Sequence, residues 1–372
     1  MFDSKEKFEI VTIAGNRPEI IKLSELVKSF VPKYNNAFVY TGQHYSPNMR
    51  DVFLEDLNIK FDYDLQANTS DVDILRESIR KLLNKLHPSY VIVYGDTSST
   101  VAGALAAKDL NCKLIHIEAG LRCFDQSKPE ERNRILVDSM SDYWLAPTEL
   151  SKLFLKYENI KENVYVTGNL IVDVCKKFSA SCSELRFDLP SEFILLTLHR
   201  SALVDDPNML KILSVFLSRI NYSIVFPMHP RTINSLIKYN IKLPENVKTI
   251  DAVGYSDFLA MLKQCKLVLT DSGGVQEEAI ILKKPCITLN NTTERQETIL
   301  LKANRLFYPL DGGEHEGSIN DIIEEMLRIK ITINPYGENV TVKALKVIAS
   351  ILSDNTKELK VEYETLEPKL YV

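Results

Sequence analysis

Glu118, Arg122, Asp125, Glu130, Glu131, Arg132 and Arg134 crowd into one stretch of the sequence, IEAGLRCFDQSKPEERNR at 117–134. The run before it, CKLIHI, reads as a buried strand, after which turn residues alone would carry the chain onward. A carboxylate such as Glu118 at the end of a buried strand is costly unless it is paired or put to use. Glu130 directly follows Pro129, a position typical of a helix's first turn, and Glu131 beside it could serve the helix dipole equally well. Carboxylates in such a place can move protons, and the arginines among them suit an anionic partner.

The same pattern recurs at other strand ends. AGNRPEIIK offers Arg17 and Lys22, YGDTSST offers Asp96, TLHRS offers His199 and Arg200, PMHPRT offers His229 and Arg231, and TDSGGVQEE offers Ser272 and Glu278. That recurrence points to convergence on a site. Asp96 precedes Thr-Ser-Ser and could equally cap the following helix. His116 lies inside an apolar run and reads as structural, whereas His199 stands beside Arg200 where a strand ends.

TDSGG followed by VQEEAI has the form of a strand, a glycine turn and a helix start. Gly273 and Gly274 would let backbone N–H groups approach a phosphate, and the helix N-terminus favours negative charge there. A plain turn with an N-cap explains the same pattern. Gly15, Asn16 and Arg17 make a similar turn, but GNRP lacks the GxGxxG spacing of nicotinamide and flavin sites, and no GxxxxGK[ST] loop of an ATP-driven kinase occurs.

The elements that must position these residues alternate. FEIVTIAG, NAFVYTG, YVIVYGD and KLIHIEAG read as strands, separated by the helical patterns RPEIIKLSELVKSF, DVDILRESIRKLLNKL and SSTVAGALAAKDL. Such alternation implies a parallel sheet covered by helices. After the polar stretch SASCSELRFDLPSE a second cycle begins: FILLTLHR, SIVFPMHP, VKTIDAV, LVLTDSGG and PCITLN as strands, with helical patterns between them. The fold class is therefore α/β, two Rossmann-like domains around a cleft, with strand C-termini facing it. We place the domains at 1–170 and 171–340, a C-terminal helix at 341–356 packing back on the first, and a tail of no assigned role at 357–372.

A chain of 372 residues exceeds the roughly 250–300 at which single cores divide. Its 45 basic and 50 acidic residues are spread evenly, for a net charge of −5, which leaves no polybasic field for nucleic acid. No apolar run of about 18 residues could span a membrane, and the N-terminal apolar run lacks a cleavage site. The expectation is a cytoplasmic protein with neither a nucleic-acid nor a membrane partner. The six cysteines show no CxxC spacing, which predicts reduced core thiols instead of disulfides or a metal site.

Taken in order, GNRPEIIK, TGQHY, GDTSSTVAGALAA, HIEAGLRCFDQSKPEERNR, PTELS, TGN, TLHR, FPMHPRT, LTDSGGVQEEA, NTTERQET and NPYG resemble the segments of the non-hydrolysing UDP-N-acetylglucosamine 2-epimerases, from about Phe8 to about Leu352. The resemblance implies a fold similar to the GT-B glycosyltransferases, a homodimer, and a reaction without metal or redox cofactor. It also implies that Ser272, Gly273 and Gly274 hold the diphosphate of a UDP-sugar, with Glu278 on the ribose, Phe258 near the uracil and Arg295 at the sugar end. Taken alone, Phe258 fits the core spacing of an amphipathic helix. Arg17, Lys22, Asp96, Glu118, Glu130 and Arg134 would match positions around the sugar, and His199 one near the diphosphate, making Asp96, Glu118, Glu130 and His199 the catalytic candidates. The implied reaction interconverts UDP-N-acetylglucosamine and UDP-N-acetylmannosamine for surface polysaccharide precursors. RCFDQ is also similar to the subgroup acting on UDP-linked 6-deoxy-L-hexosamines, and a GT-B glycosyltransferase would share the fold and the UDP-sugar.

Overall fold

The computed structural model describes residues 8–30, 33–43, 54, 57–181, 187–198, 200–309, 318–356 and 359. The chain forms two compact units: one runs to Val174 and resumes at Tyr336, and the other is Cys175–Pro335.

The first unit is built on a sheet of β1 (Ile10–Ala14), β2 (Asn36–Tyr40), β3 (Tyr63–Asp64), β4 (Tyr90–Tyr94), β5 (Lys113–Ile117), β6 (Tyr143–Ala146) and β7 (Val164–Val166). The spatial order is β3-β2-β1-β4-β5-β6-β7 and every pairing is parallel. β1 is the run IVTIA, buried at every position, as a strand covered on both faces must be. Each such Val or Ile contributes about 1.5–3 kcal/mol by leaving water. Helices pack on the sheet through Leu75, Ile79, Leu83, Val101 and Ala104, all fully or almost fully buried.

The order reverses between β1 and β4. From β1 the chain winds outward to β2 and β3, then returns to lay β4 on the other side of β1. Ligands of doubly wound sheets bind at the strand C-termini beside such a switch point. Ala14, Tyr94 and Ile117 end β1, β4 and β5 at one edge of the sheet, because Ile13 pairs with Val93 and Tyr94 pairs with Ile117.

The second unit repeats the plan with β8 (Ile194–Thr197), β9 (Ile224–Met228), β10 (Val247–Asp251), β11 (Leu267–Thr270), β12 (Cys286–Thr288) and β13 (Asn304–Leu306), all parallel in the order β10-β9-β8-β11-β12-β13. Its switch point lies between β8 and β11, where Thr197 pairs with Thr270.

The division between the units falls inside the helix Ile171–Ser181. The helix Val340–Leu352 belongs to the first unit, packing on the helix Arg17–Phe30 while the Tyr90 hydroxyl donates to the Ile351 carbonyl at 3.2 Å. The tail from 357 lies outside the described residues except for Leu359. The described cysteines Cys112, Cys123, Cys175, Cys265 and Cys286 are buried free thiols. No helix among the described residues is long and apolar enough to cross a membrane.

Candidate active site

In the first unit, the sequence-predicted residues gather at the C-terminal edge of β1, β4 and β5. The helix Arg17–Phe30 starts directly after the β1 turn, with the Asn16 side chain accepting from the Glu19 amide at 3.0 Å. Gly15 has to be glycine here: a Cβ would sit 2.0 Å from Ser99 Oγ. Arg17 is half-buried at the start of the helix. Lys22, on the same helix, reaches Glu118 at the end of β5, Nζ to Oε1 3.0 Å, with both side chains buried. The Lys22 ammonium also lies 5.4 Å from the centre of the Tyr94 ring. Glu118 adopts φ 70°, left-handed backbone that a residue with a Cβ seldom takes, and its amide donates to the Leu145 carbonyl at 3.0 Å.

Asp96 follows β4. The Arg134 Nε donates to its Oδ2 at 3.0 Å and the Asn133 side chain donates to its carbonyl at 2.8 Å. Arg134 also donates through Nη1 to Glu131 Oε2 at 2.6 Å. Glu131 accepts in addition from the Cys123 amide at 3.0 Å and the Phe124 amide at 2.8 Å. Burial opposes its charge, yet Arg134 and the two amides win and hold its carboxyl below the usual range. Glu130, one residue earlier on the helix Pro129–Met140, is exposed. Neighbouring residues on a helix point about 100° apart, so one glutamate braces the loop and the other faces outward.

The rest of the charge in 117–134 is structural. Arg122 is 1 % exposed and donates to Asp138 Oδ2 at 2.7 Å and, through Nε, to Glu158 Oε1 at 2.7 Å. Asp138 contacts His116 Nδ1 at 2.7 Å and accepts from the Gly120 amide at 3.1 Å. Burial pushes against its charge, but His116 and Arg122 hold its carboxyl low. His116 Nε2 lies 2.9 Å from the Gly95 carbonyl, which anchors the turn that presents Asp96.

In the second unit, the Thr197 and Thr270 hydroxyls meet at 2.6 Å across the switch point. Asp271 accepts from the Arg200 amide at 2.8 Å, and the Ser272 amide donates to Thr270 Oγ1 at 3.0 Å. The helix Gly273–Ile281 then begins without a side-chain cap from Ser272, a kind of helix start at which an anion can be held. A Cβ on Gly273 would meet Glu294 Oε1 at 2.3 Å, whereas one on Gly274 would have, among the described residues, only Ser272 Oγ within 4 Å, at 3.9 Å.

Glu278 is buried on that helix, and after burial its charge is the next influence pushing the Tyr255 hydroxyl and the Cys175 thiol up. Phe258 is half-buried on the helix Tyr255–Gln264. Arg295 is 6 % exposed and forms an ion pair with Glu277, with Glu294 at 3.7 Å. His229 caps the helix Pro230–Lys238, its Nδ1 accepting from the Arg231 amide at 3.2 Å, and Arg231 pairs with Asp205. These last two strand-end residues are engaged locally. His199 lies outside the described residues.

The model of a protein family described as UDP-N-acetylglucosamine 2-epimerase matches residues 31–353. The chain belongs to the UDP-N-acetylglucosamine 2-epimerase family. The UDP-N-acetylglucosamine 2-epimerase of Methanocaldococcus jannaschii is 41 % identical over 350 residues, 87 % of this chain and 94 % of that protein. A crystal structure of the M. jannaschii enzyme in complex with UDP-GlcNAc and UDP aligns with a TM-score of 0.83 at 36 % identity, covering 92 % of this chain and 99 % of that one. Another relative, the UDP-2,3-diacetamido-2,3-dideoxy-D-glucuronate 2-epimerase of Pseudomonas aeruginosa, is 37 % identical over 89 % of this chain and 95 % of its own length. Membership and structural likeness agree with the expected GT-B-like fold of two Rossmann-like sheets.

Within this epimerase family chain, sequence reasoning passed over Glu19. In GNRPEIIK it looks like a first-turn acid serving the helix dipole. It is 4 % exposed, and its partner Thr100 lies far along the sequence, so no local spacing signals it.

Proposed function

We propose that this chain interconverts UDP-N-acetylglucosamine and UDP-N-acetylmannosamine by eliminating UDP and adding it back. One carboxylate takes the C2 proton while the bond from C1 to the diphosphate oxygen breaks. The products are UDP, which carries the bonding electrons away, and neutral 2-acetamidoglucal with a C1=C2 double bond. Return of a proton to the other face of C2 and of UDP to C1 yields the epimer.

The observation that carries this reading is the pair of carboxylates Asp96 and Glu118, just past the ends of the adjacent strands β4 and β5, each hydrogen-bonded to a buried cation. Two acid/base groups are the minimum for exchanging a proton between two faces. Glu130 is a third candidate, exposed where a sugar could meet it, and His199 completes the proposed catalytic set. Lys22, Arg17 and Arg134 would stand around the sugar. In the second unit, the uncapped helix start at Ser272, Gly273 and Gly274 suits the diphosphate, Glu278 the ribose, Phe258 the uracil and Arg295 the sugar. Homodimerisation and a supply of surface polysaccharide precursors belong to the same reading.

NMR of UDP-N-acetylglucosamine incubated with the protein in D₂O tests it. Deuterium at C2 and the appearance of the manno epimer are expected. Inert UDP-N-acetylglucosamine beside turnover of a UDP-linked 6-deoxy-L-hexosamine or a diacetamido uronate would move the assignment to another sugar.

A further inference from the structure

Glu19 lies at the switch point of the first sheet, and none of the roles above uses it. Its Oε2 accepts from the Gly15 amide at 2.6 Å, and its Oε1 lies 3.3 Å from Thr100 Oγ1. Thr100 Oγ1 in turn lies 2.7 Å from the Tyr94 carbonyl, to which it donates, and accepts from the Thr97 amide at 3.0 Å. A hydroxyl has one proton to give. That proton is shared between the Tyr94 carbonyl and Glu19 Oε1, so Thr100 ties the Glu19 carboxyl to the end of β4.

We propose that Glu19 is a positioning residue for the acid/base site, its buried carboxyl tying the β1 turn that carries Arg17 and Lys22 to the β4 turn that carries Asp96. The proposal rests on the epimerase reading for what is positioned, and on the Gly15–Glu19–Thr100 bridge for how. Burial pushes the carboxyl up to about 7, against the lowering effect of the Gly15 amide and of the Thr97 and Thr100 hydroxyls, with the Asp96 charge raising it further. Asp96 is the charged group facing it from the β4 turn. Arg17 and Lys22 share its helix, and Lys22 is taken up by Glu118. Protonated below about 7, Glu19 bridges the turns without adding a second negative charge beside Asp96.

The test compares full-length wild type with Glu19→Ala and Glu19→Gln. Glutamine can accept from Gly15 and donate to Thr100, so it keeps the bridge and loses only the titration. Glu19→Ala is expected to lower kcat roughly 10²-fold, the scale of a small misplacement in an active site, with KM within about threefold. Glu19→Gln should recover most of that loss. An alanine variant as fast as wild type overturns the proposal. So does a glutamine variant as slow as alanine, which would make the ionisable carboxyl itself the reacting group. A wild type inert toward every UDP-hexosamine would count against the epimerase reading alone. The bridge is then judged by the Gly15 amide resonance of ¹⁵N-labelled protein: a shift titrating near neutral pH in wild type and absent in Glu19→Gln upholds it, and a flat Gly15 profile in wild type overturns it.

Discussion

Lys22 Nζ lies 3.0 Å from Glu118 Oε1, joining the helix after β1 to the residue that ends β5 across the intervening β4. Both side chains are buried, and removing two charges from water offsets much of their attraction, so such a pair is a poor source of stability. Glu118 is also held at φ 70°, a strain on the order of 1–3 kcal/mol. A buried ion pair and a strained backbone at one strand end are what a site arranged for proton transfer would contain.

Removal of either carboxylate separates chemistry from folding. Glu118→Gln and Asp96→Asn are each expected to slow epimerisation by roughly 10²–10⁴-fold, the scale for losing a general acid or base. Glu118→Gln should also cost about 3–5 kcal/mol by removing the negative charge from a buried ion pair, whereas Asp96, whose side chain is 28 % exposed, should cost less. Deuterium exchange and urea unfolding measure the two effects. Near wild-type rates in both variants would remove the support for the assignment.

Adjacent glutamates should behave oppositely. Glu131 gathers the Cys123 and Phe124 amides and Arg134, so Glu131→Gln is expected to lower stability by about 1–3 kcal/mol and to disturb Asp96 only through Arg134. Exposed Glu130 should give the converse on substitution by glutamine: stability within about 0.5 kcal/mol, UDP binding retained and epimerisation stopped. An active Glu130→Gln variant beside a dead, stable Glu131→Gln variant would put the chemistry one residue later.

Glu19 gives stability a definite pH dependence. Its carboxyl rises from 4.5 to about 7 on folding, so between these values the folded state holds a proton that the unfolded state has lost. Its contribution is therefore full below about 4.5 and is lost as pH rises through about 7, a change on the order of 3 kcal/mol at 1.36 kcal/mol per unit. The unfolding free energy of wild type relative to Glu19→Gln should fall between pH 5 and pH 8. Parallel pH profiles would show that Glu19 does not titrate in that window.

Much of this was legible in the sequence because parallel strands buried on both faces leave continuous β-branched runs, and because a doubly wound sheet collects its ligand residues where those runs end. The gathering of Asp96, Glu118 and Lys22 at those ends was legible in that way. The short strands β3 (Tyr63–Asp64) and β13 (Asn304–Leu306) carry too few residues to set up a period and were not expected. Charge spacing in 117–134 did not distinguish Arg122, locked between Asp138 and Glu158, from Arg134, which holds Asp96, since their partners come from distant turns. The burial of Glu19 and the pairing of Arg295 with Glu277 are tertiary in the same way.

The two glycines that open the helix Gly273–Ile281 should respond differently to alanine. At Gly273 a Cβ would stand 2.3 Å from Glu294 Oε1, so the end of the flexible Glu294 side chain must swing away from its place beside Arg295, and a loss of up to about 1 kcal/mol is expected as that contact is given up. At Gly274 a Cβ has, among the described residues, nothing nearer than Ser272 Oγ at 3.9 Å. Alanine there should leave the free protein as stable as before, or up to about 1 kcal/mol more stable through its lower unfolded-state entropy. In the proposed reading, that methyl occupies space a diphosphate would need to reach the first amides of the helix. Calorimetric titration with UDP should therefore show Gly274→Ala binding at least about tenfold more weakly, a loss of about 1.4 kcal/mol, in a protein whose thermal unfolding is unchanged. UDP affinity equal to wild type in that variant would mean that the diphosphate does not approach Gly274, and the nucleotide would have to be placed elsewhere in the second unit.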